Sequence, residues 1–272
     1  MPKHVHLITG GFPPGATAGH DMDYARLRLL QLLNERDDVV TTVANDFTDV
    51  ANWLDGTSLL MTYVAGPFPD EPSLAVINRW LEGGGRWFAL HGTSGGKAAR
   101  MPDRPGRMMV KMEHHQTLGS FFLNHPPIRR FRVDVPNRNH PLTHNLPSHF
   151  DVDDELYLIE MLGSAEILLT TELPADPSPP GFGFYYQQDT ALQPDGKTRV
   201  LGYEKIIGNG RVAYLALGHC HSPTSNVQPF VDESTATGGV TPKTFRGAWE
   251  TPEFEQILSN AVSWGLANLP HA

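Results

Sequence analysis

The chain has 272 residues, 40% of them hydrophobic and 19% charged, with a formal net charge of -9. These proportions belong to a soluble globular protein and exclude a disordered one. The acidic balance argues against non-specific nucleic-acid binding, which needs a basic surface, and no apolar run approaches the roughly 20 residues that span a bilayer. The one cysteine, Cys220, has no partner for an internal disulfide. Met1–His6 leads directly into a strand-like run without a signal-peptide core, so a cytoplasmic location is expected.

His4–Thr9 reads as a first strand that turns at Gly10-Gly11. Residues 12–19 are punctuated by proline and glycine and read as a loop. Asp21 is placed to cap a helix in which Tyr24, Leu27, Leu30 and Leu33 recur at helical spacing. Val39–Val43 and Leu59–Val64 read as strands two and three. A helix over 73–81 follows, with Leu74, Ile77 and Leu81 on one face and Gly83-Gly84-Gly85 at its end. Trp87–Leu90 is the fourth strand. Such alternation of strands and helices predicts a doubly wound, mostly parallel sheet.

The middle of the chain is less regular. Residues 100–125 are rich in Met, Arg and His, with Pro102 and Pro105 near their start. Ile128–Val135 and Ile167–Thr171 read as strands, 136–147 as a loop, and 174–183 as a loop of the kind that covers a site. Val200–Ile207 and Arg211–Leu217 flank Gly208-Asn209-Gly210, a hairpin signal. Residues 222–247 form a long polar stretch with little periodicity. The last helix opens at Thr251-Pro252, with Phe254, Ile257, Leu258, Ala261 and Val262 facing the core. With no internal repeat and no linker, residues 1–272 read as one domain.

Two apolar runs each stop at a histidine and a glycine turn: Trp87–Leu90 at His91-Gly92, and Arg211–Leu217 at Gly218-His219. Strand ends of this kind house ligands in open α/β sheets, so His91 and His219 are expected to share one pocket. Gly92-Thr93-Ser94-Gly95-Gly96 fits the G-x-S-x-G pattern of a nucleophile elbow, with Asp154 or Glu155 and then His219 later in the chain. Pro102 leaves little room for the elbow's helix, and a plain glycine turn is the simpler reading. His219-Cys220-His221 offers a His-x-His pair for a divalent metal such as zinc. Cys220, on the other side of extended backbone, reads as buried and inert. Residues 151–157 carry four carboxylates followed by Tyr157. His114-His115 and His125 enrich the middle of the chain in imidazole, whereas His140 and His144 read as structural.

These residues, in this order, resemble the trehalose-utilisation, ThuA-like family. The resemblance rests on His20-Asp21, Trp87–Gly92, Gly119-Ser120-Phe121-Phe122 with His125-Pro126, and His140-Pro141-Leu142-Thr143. It continues through Asp154-Glu155-Leu156-Tyr157, Gly210–His219 and the closing helix with Trp264. It implies a flavodoxin-like sheet of the class I glutamine amidotransferase-like type, without that activity: the elbow region carries no cysteine, and His219 is followed at i+2 by His221. Sugar metabolism is what the family implies, with a small-molecule sugar as the partner; a homo-oligomer is compatible with it. Residues 100–112 and 224–247 look like additions near the pocket.

The resulting expectation is an enzyme acting on a sugar or keto-sugar glycoside by acid–base chemistry, as hydrolase, lyase or isomerase. His91 and His219 exchange protons in this reading, because imidazole titrates near neutrality, and Glu155 orients one of them or serves as second base. His20, Asp21, Ser94, His125, Tyr157 and Tyr185 are expected to bind substrate. Three alternatives stand beside it: a metal-dependent hydrolase using His219 and His221, a Ser94 hydrolase, and a catalytically silent sugar-binding protein.

Overall fold

The computed structural model describes residues 2–11, 20–225 and 227–267. In chain order the first four strands are β1 (Lys3–Gly10), β2 (Val39–Ala44), β3 (Thr57–Val64) and β4 (Arg86–Leu90). A hairpin of β5 (Lys97–Arg100) and β6 (Arg107–Val110) follows, then β7 (Ser120–Asn124), β8 (Arg129–Asp134) and β9 (His149–Asp154). β10 (Leu158–Met161), β11 (Glu166–Glu172), β12 (Thr198–Ile207) and β13 (Gly210–Leu215) complete the strands. The helices are α1 (Met22–Asn34), α2 (Glu71–Glu82), the short α3 (His114–Leu118) and α4 (Pro252–Leu266).

Nine strands form the central sheet in the order β2-β1-β3-β4-β13-β12-β11-β8-β9. The first five are parallel neighbours. From β13 onward every pairing is antiparallel, so the sheet is mixed rather than mostly parallel. The cause lies in the connections. Parallel neighbours need a crossover of a dozen or more residues, usually through a helix. Gly208-Asn209 instead returns β12 directly into β13, with Ile207 opposite Gly210. Between β8 and β12 the described chain offers one short 3-10 turn at 141–143 and no α-helix.

The parallel strands are buried on both faces: Val5, Leu7 and Ile8 of β1 and Leu59, Leu60 and Met61 of β3 are all solvent-excluded, as expected for strands covered on both sides. α1 packs on β1 and β3, and α4 on β3 and β4. Asp21 caps α1 by accepting from the Tyr24 N–H. The buried stripe of α1 is Ala25, Leu29 and Leu33, while Leu27, expected in that stripe, is 54% exposed. Leu27 lies two residues from both Ala25 and Leu29, which puts it on the opposite side of a 3.6-residue turn. α4 behaves as its sequence predicts: Thr251 accepts from the Phe254 N–H, proline stands in the first turn, and Phe254, Ile257, Leu258, Ala261 and Val262 are buried. Among the described residues no helix is long and apolar enough to cross a membrane. The proline/glycine loop predicted at 12–19 lies outside the described residues.

Candidate active site

Four side chains from four parts of the chain converge at the carboxyl edge of the parallel strands. His91 follows β4, His219 follows β13, His20 precedes α1, and Glu155 follows β9. β9 is the last strand of the sheet, yet it reaches this edge because of Asp154. The Asp154 carboxylate accepts the backbone N–H groups of Gly218 at 2.8 Å, His219 at 2.9 Å and Glu155 at 2.8 Å. His91 itself is in the left-handed region, with φ 43, an uncommon conformation for a residue with a Cβ and one that clusters at functional sites. The strained position after β4 is therefore held by His91, where the elbow reading put Ser94 at the apex. Gly92 allows the turn to close: a Cβ there would meet the Val64 carbonyl oxygen at 2.6 Å and His20 Nε2 at 3.3 Å.

Glu155 is the hub. Its Oε2 lies 3.3 Å from His91 Nε2 and 3.1 Å from His219 Nδ1. His219 Nδ1 is also 3.0 Å from His20 Nδ1. The other oxygen, Oε1, accepts from Gln228 Nε2 and faces His125 Nε2 at 3.6 Å. Tyr157 stacks on His91 at 3.9 Å between ring centroids, and its hydroxyl is 3.4 Å from His20 Nε2. His91, Glu155 and His219 are solvent-excluded, whereas His20 and His125 are half-buried and form the outward side.

Carbonyl oxygens only accept, so they reveal which imidazole nitrogens carry protons. His91 Nδ1 donates to the Ala216 carbonyl at 2.6 Å. In the neutral ring its Nε2 is then a bare lone pair. His221 Nε2 donates to the Pro242 carbonyl at 2.9 Å, leaving His221 Nδ1 to accept from His219 Nε2 at 3.0 Å. His219 Nδ1 is then bare as well. Both bare nitrogens point at the carboxylate. His91 Nε2 and Glu155 Oε2 are buried and have no hydrogen-bond partner among the described residues.

Burial draws the His219 imidazole down to about 4 in spite of the Glu155 carboxylate beside it. It likewise holds His20 well below the ordinary value, with His91 and His219 adding to the effect. Burial alone would raise Glu155, but His125, His219 and His91 around it hold its carboxyl well below the usual range. Burial and then Glu155 push the Tyr157 hydroxyl well up, so it stays protonated as a donor.

Of the residues expected at the site, His20, His91, Glu155, His219, His125 and Tyr157 meet in space. Ser94 does not join them. Its hydroxyl is buried 2.7 Å from the Tyr214 hydroxyl and also donates to the His91 carbonyl, and no imidazole reaches it. Asp21 spends its carboxylate on the α1 cap and on Arg246, at 2.8 Å. Tyr185 sits against the β5–β6 hairpin, its N–H on the Arg107 carbonyl and its ring under the Arg104 guanidinium at 4.9 Å. His221 backs His219 rather than standing beside it as a second metal ligand. Cys220 is buried, its thiol pushed up to about 12 by burial. Gln228 was missed by sequence reasoning: it lies in the aperiodic 222–247 stretch, where no pattern marks a residue as buried.

The sequence matches the ThuA family, described as trehalose utilisation, over residues 15–233, and the chain belongs to that family. No curated protein sequence matches it. In structure it is similar to a ThuA-like protein from Bacteroides uniformis, with TM-score 0.63 and 18% identity over 98% of this chain and 93% of that one. It is also similar to a ThuA-like protein from Parabacteroides merdae, with TM-score 0.57 and 15% identity over 100% and 93% of the two chains. A third likeness is to the cold-adapted β-galactosidase of Rahnella sp. R3, with TM-score 0.54 and 12% identity over 99% of this chain and 32% of that one. At these identities the likeness is one of fold.

Proposed function

We propose that this chain is an enzyme of carbohydrate metabolism that acts on a sugar or keto-sugar glycoside at the Glu155 centre. The family supports the substrate class. The observation that carries the chemistry is the pairing of a fully buried carboxylate with an imidazole that keeps a small exposed edge, Glu155 with His125. His125 Nδ1 donates to the Pro126 carbonyl at 2.8 Å, which leaves Nε2 free to take a proton on the side of Glu155 Oε1. A proton taken up at Nε2 sits between the imidazole and that carboxylate, a pair able to pass it to or from a substrate. Phe182 packs edge-on against His125 with centroids 5.8 Å apart, and Phe230 lies 5.2 Å beyond it, giving an apolar approach from the surface. His91 and His219 have their outer nitrogens committed, so they shape the centre rather than exchange protons with a substrate. An amidotransferase reading has no support, since Cys220 is buried away from the β4 turn. The β2-β1-β3-β4-β13 order of the parallel half supports a flavodoxin-like origin for the fold.

The test is turnover of a panel of keto- and unoxidised glycosides, trehalose among them, by the wild type, His125→Ala and His125→Gln. Turnover by the wild type with a loss of about 10²–10⁴-fold in both variants is expected for a proton-transfer group. Sugar binding without turnover would replace the proposal with a binding protein.

A further inference from the structure

The inward nitrogens at this centre create an electrostatic problem that the protein alone does not solve. Glu155 Oε2 faces two bare imidazole lone pairs at 3.1 and 3.3 Å. Lone pairs at that distance in a site closed to water repel, and low dielectric strengthens the repulsion. A proton on His20 Nδ1 shared with His219 would satisfy that one contact and leave Oε2 as it is. A protonated His91 would aim an N–H at Oε2, yet the 3.3 Å approach is not a hydrogen bond: both atoms are without a partner among the described residues. A cation between them removes the conflict.

We infer that His20, His91, Glu155 and His219 form a binding site for one divalent transition-metal cation of the zinc class. The deduction rests on the reading that this centre is where the protein acts, but it can be tested apart from it. The four donor atoms lie within 4.8 Å of one another. Ligand atoms about 2.0–2.1 Å from a tetrahedral zinc lie about 3.3 Å apart; the 3.0, 3.1 and 3.3 Å contacts fall near that spacing. Three imidazoles and one carboxylate, with no thiolate, suit zinc, iron, cobalt or nickel better than calcium or magnesium.

The surrounding shell is also that of a metal site. Metal-binding histidines generally donate their second N–H to a carbonyl or another fixed acceptor, which fixes tautomer and ring orientation. His91 does so to Ala216. His219 does so through His221, which passes the constraint to the Pro242 carbonyl. His20 has the Tyr157 hydroxyl oxygen at Nε2. The inward nitrogens of His91 and His219 are therefore presented without protons, and binding displaces none from them. A bound cation supplies a Lewis acid able to polarise a carbonyl or hydroxyl oxygen.

A second group of potential ligands shows the contrast. His140, Glu166 and Glu204 also lie close together, but His140 Nδ1 accepts from the Leu142 N–H at 3.2 Å, so its proton is on Nε2, directed at Glu204. Glu204 further accepts from Trp264 Nε1 at 2.6 Å and Arg211 Nη1 at 2.6 Å. That cluster is satisfied without an ion.

The experiment is metal analysis of the full chain as purified, and again after chelation, dialysis and titration with Zn²⁺ or Co²⁺. About one equivalent per chain is expected, with Co²⁺ giving a ligand-field spectrum of low-symmetry N/O ligation and no thiolate charge-transfer band. Glu155→Gln and His219→Gln should lose the equivalent while His140→Gln keeps it, folding being followed by circular dichroism. His221→Phe should bind about 10–100-fold more weakly, the size of effect typical of an outer-shell partner. A wild type that takes up neither ion, or folded Glu155→Gln and His219→Gln proteins that bind as well as the wild type, would overturn the assignment. Metal bound without sugar turnover would keep the site and discard the proposed function; sugar turnover by a wild type that takes up neither ion would do the reverse.

Discussion

Asp154 Oδ1 accepts the backbone N–H of His219 at 2.9 Å, so one carboxylate ties the end of the antiparallel half of the sheet to the end of the parallel half. The same side chain takes the N–H groups of Gly218 and Glu155. This explains how Glu155, carried by the outermost strand, stands beside three histidines carried elsewhere. Asp154→Asn replaces one acceptor oxygen with an NH₂ that confronts a backbone donor. A buried donor left facing no acceptor costs about 1–3 kcal/mol. The variant is expected to lose stability on that scale and to lose both metal and turnover, because Glu155 and His219 separate. Urea unfolding and metal analysis check it, and unaltered metal content would show that Asp154 does not hold the centre together.

Gly92 permits the β4 turn to pass under His20. A methyl group there would meet the Val64 carbonyl, part of a buried strand, at 2.6 Å. Backbone at a strand end has little freedom to yield, and overpacking of this sort costs about 1–3 kcal/mol. Gly92→Ala should therefore fold with a lowered melting temperature and bind Co²⁺ with an altered spectrum, since His91 and His20 are both displaced. A spectrum identical to the wild type would mean that the turn absorbs the methyl without moving the ligands.

The parallel half of the fold was legible because its strands and helices alternate and are bounded by glycine and proline. Of the antiparallel half the β12–β13 hairpin was legible from Gly208-Asn209-Gly210; the rest was not, because the absence of crossover helices is visible only once the strands are paired. At the site, His91 and His219 could be found from where their strands stop, and His20 from its place before a capped helix. His125 was marked by the family resemblance and Gln228 by no pattern at all; what selects both in the structure is distance to Glu155 in space. Ser94 shows the opposite failure. Its glycine pattern is real, but those glycines serve close backbone approach, and the residue held at positive φ is His91.

His6 offers a pH dependence independent of the centre. It is buried in β1, with Nδ1 2.7 Å from the Thr42 hydroxyl and its ring stacked on Trp53. Burial draws it down from 6.5 to about 4. Between those values the unfolded chain binds a proton that the folded one refuses, so stability is full above pH 6.5 and declines as the pH falls toward 4. Other buried histidines, His114 and His219, push the same way, so the measurement is a difference. His6→Phe keeps a ring beside Trp53 without a titrating group. Unfolding free energies at pH 7.5, 6 and 5 should fall less steeply for this variant than for the wild type. Parallel curves would remove His6 as a contributor.

Arg246 makes the aperiodic 222–247 stretch part of the site. Its Nη1 is 2.8 Å from Asp21 Oδ2 and 3.4 Å from the His221 carbonyl, and its guanidinium lies 3.8 Å from the Tyr24 ring centroid. Asp21 adjoins His20, and its own N–H is bonded to the Cys220 carbonyl. One cation thus holds the His20 ligand and the His219–His221 segment against each other. The pair is mostly buried, with side chains 17% and 15% exposed, so removing Arg246 leaves Asp21 with only its helix cap. Arg246→Met is expected to destabilise by about 1–3 kcal/mol, the range for stranding a buried polar partner. Asp21→Asn should cost less, since asparagine also caps a helix well. In the double variant the two effects should fall short of additivity by about 0.5–3 kcal/mol, as for residues in one ion-pair network. The same variants should weaken Co²⁺ binding without abolishing it, because three of the four ligands are held by other contacts. Strict additivity, with Co²⁺ affinity unchanged, would reduce Arg246 to a surface contact and detach this segment from the chemistry.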